Sequence, residues 1–99
     1  MESIVQMFTD RCFLCGGPAE YNDPLDCHHC FGGANRKKSE KYGLKVYLHH
    51  SRCHIFGRKA VHQNREKDLF VKQAAQKAAM QQYGWTEDEF RQIFGKNYL

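Results

Sequence analysis

The chain has 99 residues and a formal net charge of +4, which suits one small domain with a modest core. No stretch approaches the roughly 20 apolar residues of a membrane-spanning helix, and Glu2 stands where a secretory signal would carry a base. We therefore expect a soluble, cytoplasmic protein with no membrane partner. Five cysteines and six histidines in such a chain indicate metal binding rather than disulfide pairing.

The charge is concentrated in the middle of the chain. Residues 1–26 have a balance of −4, residues 27–65 carry nine bases against Glu40 alone, and residues 66–99 are neutral. All six histidines lie in the basic middle. The candidate metal ligands therefore share a segment with a surface suited to a polyanion, although a solvated basic face has the same composition.

The first elements in chain order are a cysteine knuckle and a hairpin. Cys12 and Cys15 form a CxxC followed at once by two glycines, which is typical of a loop that presents two thiolates. The pattern then predicts a strand over 25–31, a polar basic loop over 34–42, and a second strand over 44–48 with apolar residues at every second position.

Helices follow the hairpin. Ser51 is a candidate N-cap for a short helix that carries Cys53 and His54 and ends at Gly57. Apolar residues with a helical period then predict a long helix from residue 65 to Gly84. Thr86-Glu-Asp-Glu is a capping box for a last short helix. The order predicts a single α+β domain over residues 1–99.

Two ligand sets satisfy the preference of structural zinc for two closely spaced pairs of Cys or His. One is a zinc ribbon: Cys12, Cys15, Cys27 and Cys30. The other keeps the first pair and takes its second pair from the end of the hairpin: Cys12, Cys15, His50 and Cys53. In the second arrangement His28, His29 and His54 are left over, and histidines that structure does not need can hold a catalytic metal ion.

The ordered set Asp26-Cys-His-His29, a loop, a second strand ending at Leu48, and Cys53-His54 entering a helix resembles the HNH nucleases, which have a ββα-metal or His-Me finger. The segment from His28 to Leu44, with Ala60-Val-His62, is similar to small phage-type HNH proteins related to the RecA-dependent nuclease family. The likeness covers roughly residues 10–66. It implies a zinc-stapled ββα-metal finger there, with residues 66–99 as a C-terminal pair of helices.

The resemblance also implies roles for single residues. His28 and His54 would bind a catalytic divalent metal ion, Mg²⁺ or another, and His29 would activate water. Structural Zn²⁺ would be held by four residues: Cys12, Cys15, His50 and Cys53. The adjacent His49 is the other candidate for the imidazole ligand. The middle asparagine of the family falls on Lys45, so Asn35 is the candidate substitute from the loop.

Further candidates come from the residues themselves. His62, eight residues past His54, is a candidate third ligand of the catalytic ion. His28 and His29 point to opposite faces of any regular strand. The arrangement therefore needs either a strand that ends or bulges there, which Gly32-Gly33 would permit, or a base that reaches the phosphate from beside the metal. Arg36 is best placed to clamp the phosphate or stabilise charge. The candidate nucleic-acid-binding side chains are Arg36, Lys37, Lys38, Lys41, Lys45, Arg52, Arg58 and Lys59.

Together these features predict a metal-dependent DNA endonuclease or nickase of HNH type that hydrolyses phosphodiester bonds in phage or prophage DNA processing. The expected partners are DNA and a recombinase or other phage proteins, in the cytoplasm of a bacterial or phage-infected cell. The alternative is a non-enzymatic zinc-ribbon module for DNA binding or adaptor use.

Overall fold

Two antiparallel strands and three helices make up the fold in the computed structural model, which describes residues 1–99. Strand β1 spans Leu25–His29 and pairs with β2, Lys45–His49, with His28 opposite Val46. Helix α1 (Arg36–Tyr42) connects the strands, and α2 (Arg65–Tyr83) and α3 (Glu87–Phe94) follow. The chain is thus a small α+β fold, as the sequence predicted at that level.

Helix α1 was missed, because its sequence is basic and polar and the prediction was a loop. It follows a 3₁₀ turn at Gly33–Asn35 and ends at Gly43, whose φ of 74° lies in the left-handed region that favours glycine. Ser39 is fully buried, and its hydroxyl donates to the Phe31 carbonyl and accepts from the Phe31 N–H. This double hydrogen bond fixes α1 to the end of β1.

A single wide, π-type helical turn, His50–Ile55, follows β2. Ser51 does not cap it as predicted. The carboxylate of Asp23 accepts from the N–H groups of Ser51 and Arg52 instead, at 2.6 and 3.3 Å. A cap supplied by a residue 28 positions upstream has no local sequence pattern, which is why it was not foreseen.

The two C-terminal helices confirm the sequence prediction. Helix α2 is capped by the Asn64 side chain and ends at Gly84, and the predicted capping box opens α3 with Thr86 and Glu89 bonded reciprocally. No helix is long and apolar enough to span a bilayer. One buried cluster joins the sheet to both helices: Phe31, Leu44, Val46, Leu48, Val71, Ala75, Ala79, Phe90 and Phe94.

Candidate metal centres

The predicted knuckle forms at Cys12 and Cys15. The Cys12 N–H donates to the Gly17 carbonyl at 2.8 Å, and the Gly16 N–H donates to the Cys12 carbonyl at 2.9 Å. Gly16 has a φ of 77°, which a side chain would disfavour. This tight loop places both sulfur atoms beside the end of β2 and the helical turn that follows it.

Of the two adjacent histidines at the end of β2, the structure groups His49 with the cysteines, and not the expected His50. Cys12, Cys15, His49 and Cys53 each offer a ligand atom, and these atoms all lie within 4.8 Å of one another. Neighbouring side chains at the end of a strand point to opposite sides. The knuckle lies on the side of His49, while His50 is directed towards Asp26. The cluster could therefore bind a metal ion such as zinc through three sulfurs and one imidazole.

The surroundings of His49 suit a metal ligand. Its side chain is fully buried, its Nδ1 lies 3.2 Å from Cys15 Sγ, and its Nε2 donates to the Pro18 carbonyl at 2.7 Å. A hydrogen bond from the second ring nitrogen is what orients metal-bound histidines in proteins. The Nδ1 lone pair is thereby directed at the sulfur atoms.

The pKa values of two thiols in this cluster are shifted in opposite directions. Burial alone would raise the pKa of Cys12, but hydrogen bonds from backbone N–H groups lower it to about 7. Burial and the neighbouring Cys12 raise the pKa of Cys53 to about 12. Thiolates that lie close together repel one another, so the thiols do not all lose their protons by themselves. A bound metal cation removes this repulsion, because it coordinates the deprotonated sulfurs.

Cys27 and Cys30 do not join the knuckle, so the four-cysteine ribbon is not assembled. Cys27 is exposed on β1, and Cys30 is buried just beyond it, where burial raises the pKa of its thiol. The zinc-ribbon form of the alternative prediction is therefore wrong in its ligand set. Cys30 serves as a small core residue.

A second cluster consists of three imidazoles, His28, His54 and His62, whose ligand atoms also lie within 4.8 Å of one another. The Nε2 atoms of His54 and His62 are 3.2 Å apart. Two nitrogens each about 2.1 Å from one ion lie roughly 3.0–3.4 Å apart in octahedral or tetrahedral geometry. The His54–His62 spacing falls in this range, and His28 offers a third ring nitrogen within 4.8 Å of both, so the cluster could hold a metal ion.

His28 provides an independent indication. It is 7% exposed, and its Nε2 is the one buried side-chain polar atom without a hydrogen-bond partner. Burial, with smaller contributions from His54 and His62, lowers its pKa to about 3. Burying a ring nitrogen without a hydrogen-bond partner costs about 1–3 kcal/mol of folding free energy. A metal ion bound to this nitrogen would offset that cost.

His62 reaches this cluster because the chain folds back after the helical turn. The helical turn ends at Ile55, and the chain then folds back so that the N–H groups of Val61 and His62 donate to the carbonyls of Cys53 and His54. The two bonds measure 2.9 and 3.1 Å. His62 therefore faces His54 through backbone pairing rather than along a continuous helix.

Asp26 forms a hydrogen bond with His54 of the histidine cluster. It shares a face of β1 with His28, and its Oδ2 accepts from Nδ1 of His54 at 2.9 Å and from Nδ1 of His50 at 2.6 Å. Burial alone would raise the pKa of Asp26, but these hydrogen bonds hold it below its usual range. The carboxylate fixes the Nδ1–H form of His54 and leaves Nε2 free for the cluster.

The histidine cluster lies in an open cleft of about 730 Å³. Three cationic side chains line it, Arg36 from α1 and Arg65 and Lys72 from α2, against the single acid Asp68. Lys72 forms an ion pair with Asp68 at 2.8 Å, whereas Arg36 and Arg65 line the cleft without an acidic partner. A cleft of this charge and shape suits a phosphate group beside the imidazoles.

His29 also lines the cleft, but its ring lies on the other face of β1 from His28, as strand alternation requires. Its Nε2 bonds Glu40 Oε1 at 2.9 Å. Lys45 Nζ bonds both oxygens of the same carboxylate at 3.1 and 2.9 Å. Hydrogen bonds from His29 and Lys45 hold the pKa of Glu40 well below its usual range.

Several predicted phosphate or catalytic residues lie elsewhere. The Asn35 side chain donates to the Phe94 carbonyl, so it ties the start of α1 to α3 and does not line the cleft. Lys38 donates to Ile93, Lys45 is engaged by Glu40, and Arg52 pairs with Glu20. The remaining bases are exposed away from the cleft lining: Lys37, Lys41, Arg58 and Lys59. Of the eight predicted phosphate contacts only Arg36 is in the cleft.

No protein-family model, curated protein or solved structure matches the chain.

Arg65 and Lys72 are not among the candidates that the sequence indicates. The two residues are seven positions apart, which places them on one face of a helix about two turns apart. That spacing was available as a signal. Its significance depends on the fold, which places this face of α2 opposite His28.

Proposed function

We propose that the chain is a metal-dependent DNA endonuclease or nickase of HNH type, hydrolysing phosphodiester bonds in phage or prophage DNA processing in the cytoplasm. One observation supports this above the others. Three imidazoles converge in an open cationic cleft, and one of them, His28, has a buried nitrogen without a hydrogen-bond partner. These imidazoles are separate from the Cys₃His cluster, which consists of Cys12, Cys15, His49 and Cys53.

The two clusters differ in ligand type and in exposure. Structural zinc sites are closed and rich in sulfur, whereas catalytic sites leave positions open for water and substrate. The Cys₃His cluster has four candidate ligands, three of them buried. The histidine cluster has three and faces the cleft, so it has room for substrate oxygens.

The residues suggest a division of labour during hydrolysis. Arg36 and Arg65 would hold the phosphate, and His29 would take a proton from the attacking water. A divalent ion held by His28, His54 and His62 would supply positive charge that stabilises the leaving oxygen. Because phosphate contacts carry no sequence information, we expect weak sequence preference and strong salt dependence.

The test is nicking of supercoiled plasmid by zinc-loaded protein, with Mg²⁺ or Mn²⁺ added and with EDTA added in parallel. We expect nicking that requires the divalent ion and is lost in His54→Ala and His29→Ala. His29→Ala should still bind Mn²⁺ in calorimetry, whereas His54→Ala should not. The identically purified variants also control for a contaminating nuclease.

A wild-type protein that binds DNA but does not nick it with any divalent ion would overturn the proposal and indicate a binding-only module. Nicking that survives unchanged in both variants would also contradict it. Zinc content should remain the same in all proteins, because the Cys₃His cluster is separate from the substituted residues.

A further inference from the structure

The nuclease resemblance assigns no role to Glu40, but its carboxylate hydrogen-bonds His29, which lines the cleft. Its carboxylate receives His29 Nε2 on one oxygen and Lys45 Nζ on both. His29 and Lys45 side chains are each only 12% exposed, while that of Glu40 is 45% exposed. The hydrogen bond to His29 is therefore partly shielded from water at the imidazole end.

The placement of Glu40 is built into the fold. The preceding residue, Ser39, is fully buried and anchors α1 to β1 through two hydrogen bonds with Phe31. On the other side of Glu40, Lys45 stands directly opposite His29 in the β1–β2 register. The anchored helix α1 fixes the backbone of Glu40, and Lys45 on β2 binds its carboxylate. Both restrict the orientation of the carboxylate.

The hydrogen bond between Glu40 and His29 determines which nitrogen of the His29 imidazole carries the proton. An ionised carboxylate can only accept hydrogen bonds, so the Nε2 atom of His29 must carry the proton in this contact. In a neutral imidazole the other nitrogen, Nδ1, then holds the lone pair. A histidine that acts as a general base needs one nitrogen fixed by a partner and the other free for the incoming proton.

We propose that Glu40 is a positioning residue: it accepts the Nε2–H of His29 and so keeps Nδ1 available to take a proton from water at the edge of the histidine cleft. This inference rests on the proposed function. Lys45, which stands where the resembling nucleases have an asparagine, contributes by holding Glu40 rather than by touching the substrate.

The first experiment is nitrogen-15 NMR of the histidine side chains in zinc-loaded protein, comparing wild type with Glu40→Ala and Glu40→Gln. We expect His29 to be the Nε2–H tautomer in the wild type and a mixture of tautomers in Glu40→Ala. Glu40→Gln should retain part of the preference, because its amide oxygen still accepts. An unchanged His29 tautomer in Glu40→Ala would overturn the proposal.

The second experiment is nicking kinetics. Glu40→Ala should lower kcat by about 10-fold or more, bounded by the ~10²–10⁴-fold that a general base contributes, with KM for DNA within about twofold. Glu40→Gln should be intermediate. Asp10→Ala removes one exposed acid outside both clusters and should match the wild type. Equal kcat in Glu40→Ala and wild type would refute the positioning role.

The two proposals fail differently. A wild-type protein that never nicks refutes the nuclease, while the NMR shifts still decide whether Glu40 sets the tautomer of His29. A loss of Mn²⁺ affinity in Glu40→Ala would show that Glu40 supports the metal cluster instead, and would contradict a role confined to His29.

Discussion

The two adjacent histidines at the end of β2 provide a matched pair for testing the structural metal site. His49→Ala removes a fully buried candidate ligand whose Nδ1 lies 3.2 Å from Cys15 Sγ. His50→Ala removes a neighbouring imidazole whose side chain is 46% exposed and contacts Asp26 rather than the cysteines. Only the first substitution should release zinc.

The magnitude follows from the contacts. Losing a hydrogen-bond partner of a metal ligand costs about 10- to 100-fold in affinity, so losing the ligand costs at least the upper figure. At saturating zinc a 100-fold weaker site removes about 2.7 kcal/mol of stability. The lost hydrogen bond from His49 Nε2 to the Pro18 carbonyl adds about 1 kcal/mol. We expect His50→Ala to cost less than about 1 kcal/mol, because its ion pair is exposed.

Zinc content by mass spectrometry and thermal unfolding by circular dichroism measure both effects. In a domain of this size about 4 kcal/mol lowers Tm by roughly 15–30 °C, whereas His50→Ala should lower it by less than about 8 °C. Chelation of zinc from the wild type should reproduce the His49→Ala result. Zinc retained in His49→Ala but lost in His50→Ala would refute the assignment.

Four further predictions concern the histidine cluster, Cys27, Asn35 and helix α3. Asp26→Asn should weaken Mn²⁺ binding at the histidine cluster by about 10- to 100-fold in calorimetry, and unchanged affinity would remove Asp26 as the partner of His54. Cys27→Ser should leave one tightly held zinc per chain, and its loss would restore the ribbon. Asn35→Ala should nick at a rate within about twofold of wild type, because its side chain bonds the α3 carbonyl of Phe94; a large loss would return it to the catalytic set. Thr86→Ala should cost about 1 kcal/mol in denaturant unfolding, and no change would contradict the capping box.

The elements that depend on local patterns were predictable. Helix α2 has a helical apolar period and ends at a glycine, and α3 opens with a capping box, so both were placed from sequence. The CxxC knuckle was placed for the same reason, since the turn residues follow it directly. Each of these features depends on residues that lie close together in the sequence.

The features that depend on distant contacts were not predictable. Helix α1 is secured by Ser39 bonding Phe31, and the helical turn after β2 is capped by Asp23, so neither has a local signal. The choice of His49 over His50 depends on which side of the strand end the knuckle occupies. Single residues of the site therefore required the tertiary structure even where the clusters themselves could be anticipated.

Anomalous scattering from crystals of the zinc-loaded protein soaked in Mn²⁺, with data collected on both sides of the zinc edge, tests most directly whether the two clusters bind separate metal ions. We expect one zinc peak enclosed by Cys12, Cys15, His49 and Cys53, and a separate manganese peak contacted by His28, His54 and His62. A zinc ion bound by Cys27 and Cys30, or a histidine cluster that takes no ion at saturating Mn²⁺, would contradict this expectation.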